Sequence, residues 1–232
     1  MLSHNNDYKN KIIENLKIIN NINFLPKDHS DFLLKLKTTW GFNPKVIYDI
    51  GSCVLHWERN ARVVWPTAEF VLFDAFEPVE MFYTNYKYHI GVLSNEDNKE
   101  VKFYQNDMHP GGNSYYREIV YNIYPENNYL LKLTRTLNSI VKEKNFPQPD
   151  LIKIDVQGSE LDIIKGATEI LENTKILIVE LQHCNYNENA PDVTITKPYI
   201  ESLGWICIAE KFSNNTYDAD YCFINRKFIN FQ

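Results

Sequence analysis

The stretch 150–166 limits the possible folds of this chain more than any other. Leu151–Ile154 is short, apolar and β-branched, and a turn containing Gly158 follows it. That pattern is typical of a buried parallel strand that ends sharply. Apolar residues then recur at helical spacing, and Gly158 or Ser159 is placed to cap the helix. The unit is therefore a strand, an acidic turn and a helix, with Asp155 at the carboxyl end of the strand.

Ligands of open α/β sheets bind just outside the carboxyl ends of the strands, so Asp155 is the first candidate for chemistry. It has the chemistry of a general base for a substrate hydroxyl, or of a metal ligand. Lys153 lies inside the apolar strand, where an unpaired ammonium is costly, so we expect it to reach a carboxylate or the cleft. Glu180 ends a neighbouring strand and His183 follows it at an interval of three. At a strand end the two side chains need not converge, so the pattern favours a site without metal.

Strand-like and helix-like segments alternate along the rest of the chain. Two amphipathic helices are predicted at 8–22 and 28–37, packed across one end of the sheet. This alternation, without repeats or a linker, predicts a mostly parallel α/β sheet with helices on both faces. Beyond the strand described above, strands are predicted from 45 to the turn at 49–53, and at 70–73, 88–94, 101–104, 176–180, 205–209 and 221–224.

The length of 232 residues suits one α/β domain with a small addition. We predict a helical extension over residues 1–40, packed on a domain over residues 41–232. The net charge is −6 and lysine and arginine do not cluster, which argues against nucleic-acid binding and favours an uncharged or cationic small substrate. The four cysteines form no CxxC pair, and no apolar run approaches the ~20 residues of a membrane span. The sequence therefore predicts a cytoplasmic protein with free thiols.

The run Lys153-Ile-Asp155-Val-Gln-Gly158-Ser-Glu160, followed by Lys165-Gly166, resembles the signature of the FkbM-type methyltransferases. Weaker likenesses in the same order extend over residues 45–226. The resemblance implies a Rossmann-like class I methyltransferase fold with a mostly parallel seven-stranded sheet. It also implies S-adenosylmethionine as the cofactor.

The turn after the first predicted strand separates this cofactor from a dinucleotide. A pyrophosphate needs the bare backbone of GxGxxG, whereas this chain continues after Gly51 with Ser52-Cys53-Val54-Leu55, which disfavours an NAD or nucleotide-sugar enzyme. S-adenosylmethionine has no phosphates, so one glycine can suffice. Asp49-x-Gly51 matches the first motif of the family, but the family pattern continues with Ala-Asn-x-Gly.

The resemblance and the strand ends together give the expected site. We expect Asp74, which follows a strand, to hold the ribose hydroxyls, with Glu77 of Phe-Glu-Pro as the second choice. The loop 106–114, with Tyr115, is either a substrate lid or an ordinary exposed loop. The expected cofactor-binding residues are Asp49, Gly51, Ser52, Cys53, Asp74, Glu77 and Leu93, and the expected catalytic residues are Asp155, Lys153, Glu180 and His183.

The resemblance implies methyl transfer to oxygen, with a hydroxyl of a sugar or glycan as the expected acceptor. Catalysis would depend on alignment of the acceptor oxygen with the methyl group and on a base that removes the proton. The alternative is a catalytically inactive cofactor- or glycan-binding module on the same fold, which the unusual turn at Ser52–Leu55 suggests. The sequence leaves the oligomeric state open.

Overall fold

The fold is described from a computed structural model, which describes residues 2–22, 27–214 and 216–229. The strands are β1 (Val46–Ile50), β2 (Glu69–Asp74), β3 (Lys87–Ile90), β4 (Val92–Leu93), β5 (Glu100–Phe103), β6 (Leu130–Arg135), β7 (Leu151–Ile154), β8 (Ile176–Gln182), β9 (Trp205–Asn214) and β10 (Asp218–Asn225). The helices are α1 (Leu2–Asn21), α2 (Lys27–Thr38), α3 (His56–Val64), α4 (Leu137–Lys144), α5 (Glu160–Lys165), α6 (Thr168–Leu171) and α7 (Val193–Ser202). Short 3-10 helices occupy Glu77–Phe82, Pro110–Gly112 and Arg226–Phe228.

The main sheet has seven strands in the order β3-β2-β1-β7-β8-β10-β9. The first five of these strands run parallel, and β10 is antiparallel to both of its neighbours. β7 is the central strand, as the sequence predicted, and in its register Ile154 pairs with Ile50 on one side and with Val179 on the other. The predicted mostly parallel, seven-stranded α/β fold is confirmed.

That register brings three chain segments to one edge of the sheet. The residues that follow the paired positions are Gly51 after β1, Asp155 after β7 and Glu180 on β8. The carboxyl ends of parallel strands meet at a single edge, so residues more than 100 positions apart in the chain become neighbours there.

The predicted third strand over 88–94 is divided in the structure. β3 joins the main sheet, whereas β4 pairs with β6 in a separate three-stranded sheet with the order β4-β6-β5. Gly91 lies between the two strands and donates its backbone N–H to the Asp74 carbonyl oxygen at 2.8 Å. The sequence did not predict β6. Its leucines at 130, 131 and 133 are exposed, so its apolar pattern does not mark a buried face.

Two hydrophobic cores lie on the two faces of the main sheet. Ile47 of β1 lies in the first core, and its neighbour Tyr48 lies in the second, as alternation along a strand requires. The predicted helices near the N-terminus are confirmed as α1 and α2. Leu16 of α1 and Leu33 of α2 are fully buried in the first core, so these helices cover a face of the sheet and not only one end. The domain boundary at residue 40 stays a prediction.

No helix among the described residues has the length and apolar character that crossing a membrane requires.

Candidate active site

A cavity of about 680 Å³ opens at the carboxyl ends of β1, β2, β7 and β8. Its volume lies in the range of sites that bind small molecules and cofactors. The roof comes from the segment 108–124 and from Asn15 and Ile19 of α1. Asn15 Nδ2 donates to the Met108 carbonyl oxygen at 3.1 Å, which joins α1 to the roof.

The turn after β1 forms one wall of this cavity. Gly51 has a φ of +85°, and its backbone N–H donates to the Phe73 carbonyl oxygen at 2.9 Å. A Cβ atom at this position would lie 1.8 Å from the carbonyl oxygen of Asp155. Glycine is therefore required for two reasons, the left-handed backbone and the close approach of β1 to the end of β7.

Two further residues of this turn have left-handed backbones. Cys53 has a φ of 42° and Leu55 a φ of 68°. These are the positions at which the family pattern has asparagine and glycine, and those residues adopt such angles more readily. This chain therefore has cysteine and leucine at two left-handed positions whose backbone favours the asparagine and glycine of the family pattern. Leu55 is 7% exposed, so burial of its side chain offsets part of the conformational cost.

Asp74, at the end of β2, lines the cavity. Its Oδ2 accepts from the backbone N–H of Cys53 at 2.8 Å and its Oδ1 from that of Phe76 at 2.8 Å. Burial raises the pKa of Asp74, and these hydrogen bonds oppose that rise. Each oxygen keeps a lone pair toward which a ribose hydroxyl can donate. Glu77 is exposed and does not line the cavity, so the structure brings only the first of the two ribose candidates to the site.

Asp49 and Ser52 lie beneath the turn and do not line the cavity. The Ser52 hydroxyl donates to the Asp49 carbonyl oxygen at 2.6 Å. The carboxylate of Asp49 is fully buried and accepts no hydrogen bond from the residues that the structure describes, and Lys153 Nζ is 3.8 Å from its Oδ1. Burial outweighs that cation and raises the pKa of Asp49 to about 7. Of the remaining predicted cofactor residues, Gly51, Cys53 and Leu93 do line the cavity.

The opposite wall holds a hydrogen-bonded group of polar side chains at the ends of β7 and β8. Lys153 Nζ donates to Asp155 Oδ2 at 2.9 Å. Gln157 Nε2 lies 2.8 Å from Glu180 Oε2 and 3.3 Å from Asp155 Oδ1. Gln157 therefore bridges the carboxyl groups of Asp155 and Glu180. The sequence prediction that Lys153 reaches a carboxylate is confirmed.

These contacts shift the pKa values of the two carboxyl groups in opposite directions. Burial acts to raise the pKa of Asp155, but the Lys153 ammonium and the hydrogen bonds from Lys153 and Gln157 together lower it. Burial and the negative charge of Asp155 raise the pKa of Glu180 well above its ordinary range. Asp155 is therefore the more acidic member of the pair.

Glu160 fixes the loop between β7 and α5. Its Oε1 accepts from the backbone N–H groups of Val156 and Gly158, each at 3.1 Å. Ser159 precedes the helix but its side chain makes no capping hydrogen bond. From the sequence, Glu160 is expected only as a first-turn helix residue that the helix dipole favours, and Gln157 has no predicted role. Their positions beside the turn after β7 are the sequence feature from which a role in the site could be predicted.

His183 is not brought to the cavity. Its Nε2 lies 3.2 Å from the Tyr221 hydroxyl, and the two rings stack. The structure therefore gives no support to a catalytic His183, because the two side chains of the Glu-x-x-His spacing diverge at the strand end. Among the described residues, no three His, Cys, Asp or Glu side chains are grouped so as to hold a metal ion.

The predicted substrate-lid loop forms part of the cavity wall. His109, Asn113, Ser114 and Tyr115 all line it. Three other lining residues, Glu118, Tyr121 and Tyr186, come from segments with no recognisable motif and are not predictable from the sequence.

Comparison with known proteins identifies the family. The methyltransferase FkbM domain matches residues 49–207, more than half of the chain. The hexuronic acid methyltransferase AglP of Haloferax volcanii is 36% identical over 44 residues, which cover 19% of this chain and 18% of that protein.

Two solved structures are similar to the chain. Cofactor-bound Rv0187 from MTB is 10% identical with a TM-score of 0.50, over 94% of this chain and 89% of that one. An O-methyltransferase from Bacillus cereus in complex with SAH is 12% identical with a TM-score of 0.47, over 92% and 89% of the two chains. The former likeness shows a shared fold. On the match over residues 49–207, the chain belongs to the FkbM methyltransferase family, whose cofactor is S-adenosylmethionine.

Proposed function

We propose that this protein transfers the methyl group of S-adenosylmethionine to a hydroxyl oxygen of a sugar or glycan. The observation that carries the proposal is the Asp155 carboxylate on the cavity wall, which is held by Lys153 and Gln157 and adjoins the Gly51 turn. The match to a hexuronic acid methyltransferase covers only 18% of that protein, so it supports a sugar as the acceptor class and does not extend to the carboxylate of that sugar.

The residues present fit the cofactor. Asp74 has free lone pairs for the ribose hydroxyls, and Asn113 Nδ2, on the cavity wall, is a buried donor without a partner in the described ranges of the chain. The lining includes four carboxyl side chains and, within the described part of the chain, no lysine or arginine. Such a lining suits a ligand with a positive charge. When bound, S-adenosylmethionine supplies an electrophilic methyl group on a sulfonium.

Asp155 is the group that accepts the hydroxyl proton of the acceptor. A carboxylate accepts a hydrogen bond from a hydroxyl and so orients the oxygen. Because its pKa is lowered, Asp155 is too weak a base to ionise an alcohol in advance, and we infer that the proton moves as the new bond forms. Gln157 and Lys153 hold Asp155 in place, which limits the reorganisation needed at that moment.

Incubation of the purified protein with S-adenosylmethionine and a panel of glycosides tests the proposal. We expect S-adenosylhomocysteine to form together with a glycoside that carries one methyl group. The product should resist mild alkali, because a methyl ether is stable where a methyl ester is hydrolysed. An alkali-labile product would contradict transfer to a hydroxyl.

The second candidate is a cofactor-binding protein without turnover. The left-handed Cys53 and Leu55 favour it, because they replace residues that suit this turn better. Tight binding of S-adenosylhomocysteine without a methylated product from any acceptor class would support this candidate over the enzyme.

A further inference from the structure

Glu118 is a buried carboxylate whose second oxygen lacks a partner. The side chain is 1% exposed and lines the cavity. Its Oε1 accepts from the backbone N–H groups of Val120 and Tyr121, the latter at 2.6 Å. Its Oε2 is buried and has no hydrogen-bond partner among the described residues. A buried carboxylate oxygen without a donor is costly, so the position suits a ligand that supplies an O–H or N–H group.

Tyrosine rings lie beside Glu118. Tyr121 and Tyr186 line the cavity, with ring centroids 6.2 Å apart and planes at 77°. Tyr217 stacks on Tyr186 at 5.1 Å and meets Tyr121 edge-on at 6.0 Å. We call these three residues the tyrosine cluster. Tyr121 is 57% exposed, so an aromatic surface is open at the cavity. Aromatic faces of this kind pack against the C–H faces of sugar rings.

Backbone pairing holds this corner in place. Glu118 and Asn187 form an antiparallel bridge, and the N–H of Ile119 donates to the Tyr186 carbonyl oxygen at 3.1 Å. Arg117 and Glu188 add an ion pair at 2.8 Å. The carboxylate and the rings are therefore held together before any ligand binds, which lowers the entropic cost of binding.

The charge of the cavity restricts the ligand further. Its four carboxyl residues are Asp74, Glu118, Asp155 and Glu180, and no lysine or arginine is among the described lining residues. Lys153 compensates Asp155, but a carboxylate or phosphate on the acceptor would meet like charge from Glu118, with no lysine or arginine among the described lining residues beside it, which disfavours such an acceptor.

We propose that Glu118 and the tyrosine cluster form an acceptor subsite that selects an uncharged or amino sugar over a uronate or a sugar phosphate. Glu118 Oε2 accepts from a ring hydroxyl or ammonium, while the ring packs on Tyr121 and Tyr186. The inference rests on the proposed function, since it concerns the acceptor of that same reaction.

The test measures sugar binding to the protein saturated with S-adenosylhomocysteine, by saturation-transfer NMR. The probes are methyl glycosides of glucose, galactose and mannose, with their 2-amino, 6-carboxylate and 6-phosphate counterparts. We expect at least one neutral or amino glycoside to bind about tenfold more tightly than its uronate and phosphate counterparts.

Two variants assign that preference to the subsite. Glu118→Gln keeps the shape and an oxygen for the backbone N–H groups but removes the charge, so it should weaken neutral-sugar binding about tenfold and narrow the discrimination against the uronate. Tyr121→Leu changes an exposed ring and should weaken every sugar. The matched controls, Glu126→Gln and Tyr129→Leu, alter residues outside the cavity and should change neither.

The subsite is wrong if uronates or phosphates bind as tightly as neutral glycosides, if no glycoside binds, or if the variants behave like their controls. Binding of S-adenosylhomocysteine to each variant verifies that it is folded. The proposed function fails separately. If sugars bind with the expected preference but no methyl group is transferred from S-adenosylmethionine, the subsite stands and the enzyme does not.

Discussion

At the scale of single residues, the site contains two neighbouring carboxyl groups whose pKa values are shifted in opposite directions. Gln157 bridges Asp155 and Glu180, and Lys153 lies 2.9 Å from Asp155 and lowers its pKa, whereas burial raises the pKa of Glu180. A carboxylate whose pKa is lowered can accept a hydrogen bond from an acceptor hydroxyl, and this is the role that we propose for Asp155.

Replacing Asp155 with Asn should separate a catalytic role from a structural one. The substitution keeps the shape but removes the basic oxygen, so we expect turnover to fall by about 10²–10⁴. Binding of S-adenosylhomocysteine should survive, because the cofactor residues lie on the other wall. If turnover per folded molecule is unchanged and only the melting temperature moves, Asp155 serves the fold.

Asp74 and Glu77 can be compared in the same way. Asp74→Ala should weaken the binding of S-adenosylhomocysteine by about 1.5–3 kcal/mol, the range for hydrogen bonds to a charged group. Glu77→Ala is the control, since the Glu77 side chain is exposed outside the cavity. Calorimetric titration of both variants decides the matter, and a larger loss for Glu77→Ala would transfer the ribose contact to the 3-10 helix.

At the scale of elements, the first turn matters as the junction between two strands. Gly51→Ala would place a Cβ atom against the Asp155 carbonyl oxygen and force a left-handed alanine. We expect a loss of at least about 2 kcal/mol in the free energy of unfolding, together with loss of cofactor binding. Gly111→Ala is the matched control on the cavity wall, because nothing lies within 4 Å of its added Cβ. Equal melting temperatures for the two variants would contradict this account of the turn.

The elements with strong local patterns could be predicted from the sequence. The β-branched run of β7 and the acidic, glycine-containing turn after β1 gave the central strand and the cofactor wall. β6 could not be predicted, because its exposed leucines mark pairing with β5 and not burial. α7 begins at an Asp192 cap, which accepts from the Thr194 N–H at 2.8 Å, and Pro198 lies inside the helix.

Site residues next to a local sequence pattern could also be predicted, whereas those placed by long-range pairing could not. Asp74, Asp155 and Glu180 follow apolar runs, and that position is visible in the sequence. The positions of Glu118 and Tyr121 depend on the pairing of their segment with residues around Asn187, about 70 positions away. No local sequence pattern predicts such a contact. The acceptor side of the cavity was therefore harder to predict than the cofactor side.

At the scale of the whole molecule, buried acids make stability depend on pH. The pKa of Asp49 is raised to about 7, and burial likewise raises that of Glu160 to about 7. A raised pKa means that the folded state holds the proton more tightly than the unfolded chain. The stability that this proton contributes is complete below the pKa of the unfolded chain and is lost as the pH rises to about 7.

Asp49→Asn isolates one of these groups. The free energy of unfolding of the variant, relative to the wild type, should increase between about pH 4 and pH 7 by up to about 1.4 kcal/mol per pH unit, and level off above that. Denaturant titrations across this range provide the measurement, with the exposed Glu126→Gln as control. A difference that does not vary with pH would show that Asp49 is ionised throughout.

The cavity lies between the wall at β1 and β2, where we propose that the cofactor binds, and the wall at β7 and β8, where we propose that the acceptor binds. Calorimetric titration of the wild-type protein with S-adenosylmethionine, S-adenosylhomocysteine and NAD tests that arrangement most directly. We predict that the first two bind once per chain and that NAD does not bind, because the Gly51 turn lacks the glycines that a pyrophosphate requires. Binding of NAD, with no heat from either methyl cofactor at millimolar concentration, would contradict the account.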